Sequence, residues 1–560
     1  MSLKNLLFIG LSTLILAGLS SNSFGQNFQW AKQIGAAGWD EATSIKTDQN
    51  NAVYTVGLFV GTVDFDPGIG VFNLTSVGEN DVFICKLDAA GNFVWAKQYG
   101  DSAFIDKSSL EIDLVGNLYI TSSFLGTVDF DPGVGSFPLT SQGMDRDAFV
   151  QKLDANGNFI WARQIGGPFV PTYATPSHSN AMAVDASGNI FLTGYFDGTI
   201  DFDPHPVSVF DMTSQYNASD IFVCKLDTDG NFGWAKQFTG TQMRGGVGYG
   251  IAIDGSGNVY STGTIGGTVD FDPSPSTFYL TTSASLQTEI YLSKLDPLGN
   301  FVWAKAMGPG EGSAIVLDGN YNIYSSAWVP SGYVPVINKH DSAGNLLWAK
   351  QHGGLNGKSI ALDNMGNVYT TGLCFGTNDF DPGLGVFNLT GGDSDSFISK
   401  LDSLGNFVWA GLLTGTNQVW TNSIAVDMNN NIYTAGYFNE TADFDPSSAI
   451  FNLVSPAIGY DIFIHKLSLN SVLGLHSTSL KEEVQVYPNP TNDGKFVVQF
   501  EDEQKDVNIV LRNIQGQIVN VTSIRTKDQV EIQMNELSGV YLLEISDQKN
   551  QKTVLKIIKE

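Results

Sequence analysis

The chain has 560 residues, 57 Asp and Glu against 29 Lys and Arg, a formal net charge of −28, 61 Gly and 12% aromatic residues. An acidic disordered chain would be poor in aromatics. An acidic surface also repels the phosphates of nucleic acid and of anionic membranes, so both classes of partner are disfavoured.

In chain order, residues 1–25 read as a signal peptide. Met1–Lys4 give a positive start, and Leu6–Leu19 form a 14-residue apolar run, short of the ~20 residues a membrane helix needs. Ser23, Phe24 and Gly25 make a small-x-small cleavage pattern that leaves Gln26 as the mature start, with no Cys after the cut to carry a lipid. No later segment is apolar for long enough to span a membrane, so the mature chain is expected to have no transmembrane segment.

Residues 26–469 repeat one unit. Trp recurs at 30, 95, 161, 234, 303, 348 and 409, in phrases such as "KLDAAGNFVW" (86–95) and "KLDSLGNFVW" (400–409). A second phrase also recurs seven times, as in "IAIDGSGNVYSTG" (251–263) and "IALDNMGNVYTTG" (360–372). Both alternate apolar and polar residues around a D-x-x-G-N reversal, which predicts two antiparallel hairpins per unit. Four strands is the size of a propeller blade. The second strands centre on Tyr54, Tyr119, Phe191, Tyr260, Tyr324, Tyr369 and Tyr433, and the third strands end at Lys86, Lys152, Lys225, Lys294, Lys339, Lys400 and Lys466. After Lys466 no Trp strand follows, but "NFQWAKQIG" (27–35) supplies one at the other end of the unit. The expected fold is therefore all-β: a seven-bladed β-propeller closed by its N-terminal strand, with an open solenoid as the alternative.

Six of the seven units carry an insert between their second and third strands, as in "GTVDFDPGIGVFNLTS" (61–76); the fifth lacks it. The insert is expected to form a short hairpin projecting from one face. Its paired acids are Asp64 and Asp66, Asp129 and Asp131, Asp201 and Asp203, Asp270 and Asp272, Asp379 and Asp381, and Asp443 and Asp445. Alternate strand residues share a side, so each pair is a candidate calcium site; the competing reading is turn chemistry before Pro.

The repeated Trp are expected to pack between neighbouring blades. Trp39, Trp328 and Trp420 fall outside the repeat position and are the better candidates for ligand contact. Cys85, Cys224 and Cys374 read as buried free thiols. The six His are scattered without metal spacing, and no nucleophile elbow, P-loop or dinucleotide fingerprint occurs in a credible context. No catalytic or cofactor-binding residue is assigned.

Near residue 473 the composition changes: 57 of the 61 Gly precede it, and residues 474–560 hold 13 acids and 10 bases. Residues 470–483 read as a linker, and 484–560 as a separate small antiparallel β-sandwich, from alternation in "GKFVVQF", "VNIVLRN", "VYLLEI" and "TVLKII".

The phrases "D-x-x-G-N-x-Y-x-T-G" (254–263) and "D-x-F-x-x-K-L-D-x-x-G-N-F-x-W" (81–95) resemble the bacterial SBBP β-propeller repeats, over roughly residues 27–467. A looser likeness to quinoprotein repeats fails on the Trp spacing and on the lack of an adjacent Cys pair. "VYPNP" (486–490), "GKFVV" (494–498), "NIQGQIV" (513–519), "LSGVYLLEI" (537–545) and "KTVLKIIKE" (552–560) together resemble the sorting domain of the type IX (Por) secretion system. That resemblance implies export through the periplasm to the outer cell surface or the medium, with the type IX machinery as a partner. The expected role is a non-enzymatic propeller binding glycan or protein. The alternative is a secreted polysaccharide hydrolase or lyase using carboxylates in the propeller funnel.

Overall fold

The computed structural model describes residues 26–469 and 485–559 apart from short segments at 79, 101–103, 143–144, 168–176, 216–217, 242–244, 284–287, 330–331, 456–458, 489–490, 501–507, 514–518, 520, 526–528, 535–538 and 547–551. The expected signal peptide (1–25) and linker (470–483) lie outside the described residues. The chain divides into two compact units, Met1–Leu469 and Asn470–Glu560. Among the described residues every regular element is a β-strand.

Among the described residues of the first unit a four-stranded antiparallel pattern recurs in seven sheets. Two of them are extended to six strands by the hairpin of the next insert, and one has its first strand in two pieces; three further inserts form two-stranded sheets of their own. In the first of the seven, Glu41–Thr47, Val53–Phe59, Asp81–Leu87 and Phe93–Tyr99 pair in sequence order. The turn chemistry read from D-x-x-G-N is present: Asp48 Oδ1 accepts the backbone N–H groups of Asn50 (2.8 Å) and Ala52 (2.9 Å). The same aspartate holds the core tyrosine, whose Tyr54 hydroxyl donates to Asp48 Oδ2 at 3.2 Å. Lys86 caps that ring, its Nζ 4.6 Å from the centroid. Repetition of this Asp, aromatic and Lys set explains why those residue types recur: a fully buried phenol needs an acceptor for its hydroxyl.

The last sheet is completed from the far end of the unit. Gln26–Ile34 pairs antiparallel with Asp461–Leu469, Ala31 lying opposite His465. Neighbouring sheets are joined in a regular way. Lys152 Nζ donates to Thr228 O in the next sheet (3.0 Å), and Lys339 Nζ to Ser403 O (3.1 Å). The same bond joins the last sheet to the first, from Lys466 Nζ to Ala89 O at 2.8 Å.

Six of the seven repeated Trp (30, 95, 161, 234, 303 and 348) lie beneath the reversal of the following sheet. Gly157, at φ 75°, sits so close to Trp95 that an added Cβ would come within 2.9 Å of the indole. The left-handed φ and the close approach both require glycine there. Gly91 stands in the same relation to Trp30 of the N-terminal strand. Trp161 is buried and the other repeated Trp are half-buried, so they pack between sheets as expected.

The inserts differ from the free projection expected of them. In the second sheet Thr127–Asp129 pairs with Pro138–Thr140, and Asp129 also bridges to Gly100 in the preceding sheet. Thr239 and Gly240 pair with Asp270 and Val269 of the next insert in the same way. The Phe between the paired acids (65, 130, 202, 271, 380 and 444) is fully buried in all six copies. A second Phe returns to the fourth strand of its own sheet, as with Phe137 against Phe159 at 5.0 Å. Each insert is thus a clasp across two sheets. The rest of the hairpin is largely exposed, most fully at the tips, Ile69, Val134 and Leu384.

The second unit has one sheet ordered 485–487, 495–499, 529–534, 521–525 and another ordered 508–513, 539–546, 552–559. Phe496, Val498, Leu511, Ile532, Tyr541, Leu543 and Ile557 form its core.

Candidate functional site

The paired acids of the inserts act as loop acceptors. Asp64 Oδ1 accepts from the backbone N–H of Asp66 (3.1 Å) and Phe72 (2.7 Å), and Asp66 Oδ1 from that of Gly68 (2.8 Å). Asp129 and Asp131, Asp201 and Asp203, Asp270 and Asp272, Asp379 and Asp381, and Asp443 and Asp445 repeat these bonds. Among the described residues no three His, Cys, Asp or Glu side chains converge to hold a metal. Cys85, Cys224 and Cys374 are buried and unbridged, and burial raises their thiol pKa values.

A cavity of about 760 Å³ is lined by the first strands of all seven sheets. A local irregularity aims side chains into it. The pairing of first and second strands slips between Ala42 and Ser44, Ser179 and Ala181, Gly248 and Gly250, Gly312 and Ala314, Leu355 and Ser359, and Thr421 and Ser423. Such a bulge turns the extra residue out of the ladder. Thr43, Asn180, Tyr249, Ser313, Lys358 and Asn422 occupy these positions, Ser108 is their counterpart in the second sheet, and all seven line the cavity. The strands around them are fixed to one another by Thr43 Oγ1 donating to Ser108 O (2.7 Å), Asn180 Nδ2 to Gly248 O (2.9 Å) and Asn422 Nδ2 to Ala42 O (2.9 Å).

Sequence reasoning missed this set because it looks for repetition, and these positions are where repetition fails. The signal was available: each is the residue two before the Ile, Leu or Met of the first strand, in "TSI", "SSL", "NAM", "YGI", "SAI", "KSI" and "NSI".

Aromatic side chains gather at the same place. Trp328 and Trp420 line the cavity. Trp39, 55% exposed, stacks on Tyr460 (4.9 Å), which meets Tyr437 (5.1 Å), which lies parallel to Trp420 at 6.0 Å. This file brings together two of the three Trp singled out from the sequence. The third, Trp328, packs on Tyr333 at 5.0 Å. Tyr333 has φ 57° and Asn356 φ 50°, and the Asn356 N–H donates to Tyr333 O at 3.0 Å. Both residues line the cavity, so their left-handed backbone sets the shape of its wall.

The charged residues here are mostly matched. Lys46 pairs with Glu111, and Lys107 with Glu41 at 2.9 Å. Lys358 Nζ lies 4.4 Å from the Trp420 ring centroid and 3.4 Å from Asn422 Oδ1. Burial, then the nearby Lys107 charge, lowers its pKa to about 8. Burial raises the carboxyl pKa of Glu311. A separate group places Asp106 beside Arg146 (3.4 Å) and His178 (3.5 Å). Ser123 Oγ approaches the same His178 Nδ1, at 3.3 Å. A nucleophile relay needs serine and carboxylate on opposite imidazole nitrogens, so this is no triad.

Residues 408–444 match the family model of the SBBP β-propeller repeat, and residues 485–560 that of the secretion system C-terminal sorting domain. The chain carries a β-propeller repeat and a type IX sorting domain. The sorting domain marks it for export to the cell surface or the medium and implies contact with the type IX machinery. An uncharacterized WD repeat-containing protein of Acanthamoeba polyphaga mimivirus is 26% identical over 197 residues, which cover 30% of this propeller chain and 13% of that protein. Two solved structures are also similar. The Dos1 propeller has a TM-score of 0.37 at 8% identity, over 80% of this chain and 96% of that one. The endosialidase of phage phi92 has a TM-score of 0.36 at 10% identity, over 95% and 88%. Among the described residues no helix is long and apolar enough to cross a membrane.

Proposed function

We propose that the seven sheets form a closed seven-bladed propeller whose central cavity binds a glycan without turning it over. The observation that carries this reading is the cavity's lining. Exposed aromatic faces at Tyr249 and Tyr333 stand beside hydroxyl and amide groups of Thr43, Ser108, Asn180, Ser313 and Asn422. Aromatic faces take the apolar C–H faces of a sugar ring, and a few placed polar groups take its hydroxyls. A glycan array probed with the mature chain is expected to give selective binding. Replacing both Tyr249 and Tyr333 by Ala is expected to weaken it by at least ~10-fold, with little change in Tm because both side chains are exposed. An array with no signal, or binding indifferent to both tyrosines, rejects the reading.

The hydrolase or lyase reading draws on Glu311, a cavity carboxyl whose raised pKa suits a general acid. Release of reducing ends from a bound polysaccharide, abolished by Glu311→Gln, would establish that reading instead.

Delivery is proposed to run through the periplasm, with residues 1–25 as the export signal and 484–560 as the passenger tag. Deleting Val484–Glu560 is expected to leave a folded propeller trapped in the periplasm; fractionation that finds it on the cell surface would refute the route.

A further inference from the structure

The chain carries a charge of −28, yet its cavity presents a cation with no direct ion pair among the described residues. Two of the lysines lining it are held by carboxylates, Lys46 by Glu111 and Lys107 by Glu41. Among the described residues no carboxylate lies within ion-pairing distance of Lys358. Its partners are a π face and an amide oxygen at 3.4 Å, which leave ammonium protons open to an incoming acceptor. Lys358 is also the one charged member of the bulge set, where the other six are Thr43, Ser108, Asn180, Tyr249, Ser313 and Asn422. The nearest counter-charge is Glu41, beyond ion-pairing distance and already held by Lys107. Half-burying a cation so weakly matched costs free energy, and a bound anion offsets that cost.

We infer that the glycan is acidic, carrying a carboxylate or a sulfate ester, and that the Lys358 ammonium reads this charge; this rests on the glycan reading above. A single negative charge fits better than a polyanion. The cavity offers one ammonium without a direct ion pair, and Glu311 on the same lining repels further negative charge. The neighbouring Ser313 remains for the hydroxyls, so selectivity comes from the charge and sugar identity from the rest of the set.

The test is calorimetric titration of the mature chain with three probes of equal length: a galactotetraose with one residue replaced by galacturonate, a galactotetraose bearing one sulfate ester, and the neutral galactotetraose. At pH 6.5 one acidic probe is expected to bind at least ~10-fold tighter than the neutral one, the range of a hydrogen bond to a charged group. The acidic arm that binds identifies the anion. Lys358→Met is expected to remove this preference, so that acidic and neutral probes bind alike, and Lys358→Arg to keep most of it. Because anion binding needs the protonated amine, affinity is expected to fall as pH rises through about 8. Equal binding of acidic and neutral probes overturns the inference but leaves the glycan reading in place. Failure of all three probes, together with a silent glycan array, overturns both. A preference that survives in Lys358→Met also overturns it, since the charge is then read elsewhere.

Discussion

Removing residues 26–34 will abolish cooperative folding of the repeat unit, although the deletion leaves every D-x-x-G-N hairpin intact. The strand Gln26–Ile34 is the outermost member of the last sheet, paired with Asp461–Leu469 across more than four hundred residues of sequence. Its loss strips Ile34 and Ala31 from the core and Phe28 and Trp30 from their half-buried places. Sized by large-to-small core substitutions, that amounts to about 6–10 kcal/mol, against a whole-domain stability of roughly 5–15 kcal/mol. It also exposes the edge of Asp461–Leu469 and uncovers the reversal at Gly91, which rests on Trp30. Calorimetry will show the cooperative transition lost, and a synthetic peptide of residues 26–35 added in trans will restore it. A deletion variant that melts like the parent chain would show that the strand does not lock the unit.

Phe130→Ala will destabilise the propeller by about 3–5 kcal/mol, the range for a large core aromatic. The ring is fully buried between its own sheet, through Phe124 (5.3 Å) and Phe149 (4.7 Å), and the preceding one, through Tyr99 (5.6 Å). Phe137→Ala in the same insert will cost less than half as much, because that ring is only half-buried and lies against one neighbour, Phe159. Denaturant titration of the two variants checks the order. Equal and small effects would return the insert to the status of a decoration on an independently stable sheet.

Most of the architecture was legible because repetition multiplies a weak signal. One D-x-x-G-N turn is a modest hint; with seven copies in a constant relation to Trp, Tyr and Lys, the strand order follows. The displaced strand at 27–35 could be read from the copy that was missing after Lys466. The inserts were found but misjudged: the sequence contains Phe130, yet nothing local indicates that it meets Tyr99 of another sheet. The Asp pairs kept both their readings for the same reason, since whether Asp64 faces an ion or the N–H of Phe72 is decided by a loop eight residues long. Trp420 and Trp39 stood out by breaking the repeat, whereas Lys358 was hidden in a strand whose register slips. A period-two reading cannot register such a slip.

That slip has a consequence for how such a protein can change. A bulged residue has left the ladder of its own sheet. Thr43, Asn180 and Asn422 use that freedom to bond the backbone of the neighbouring sheet, while among the described residues Tyr249, Ser313 and Lys358 do not. Positions 249, 313 and 358 therefore form a palette that can be repainted one residue at a time, while the turns, tyrosines and clasps continue to specify the same scaffold. Stability and recognition are written in separate residues of the same strands, and new specificities can arise here without a new fold.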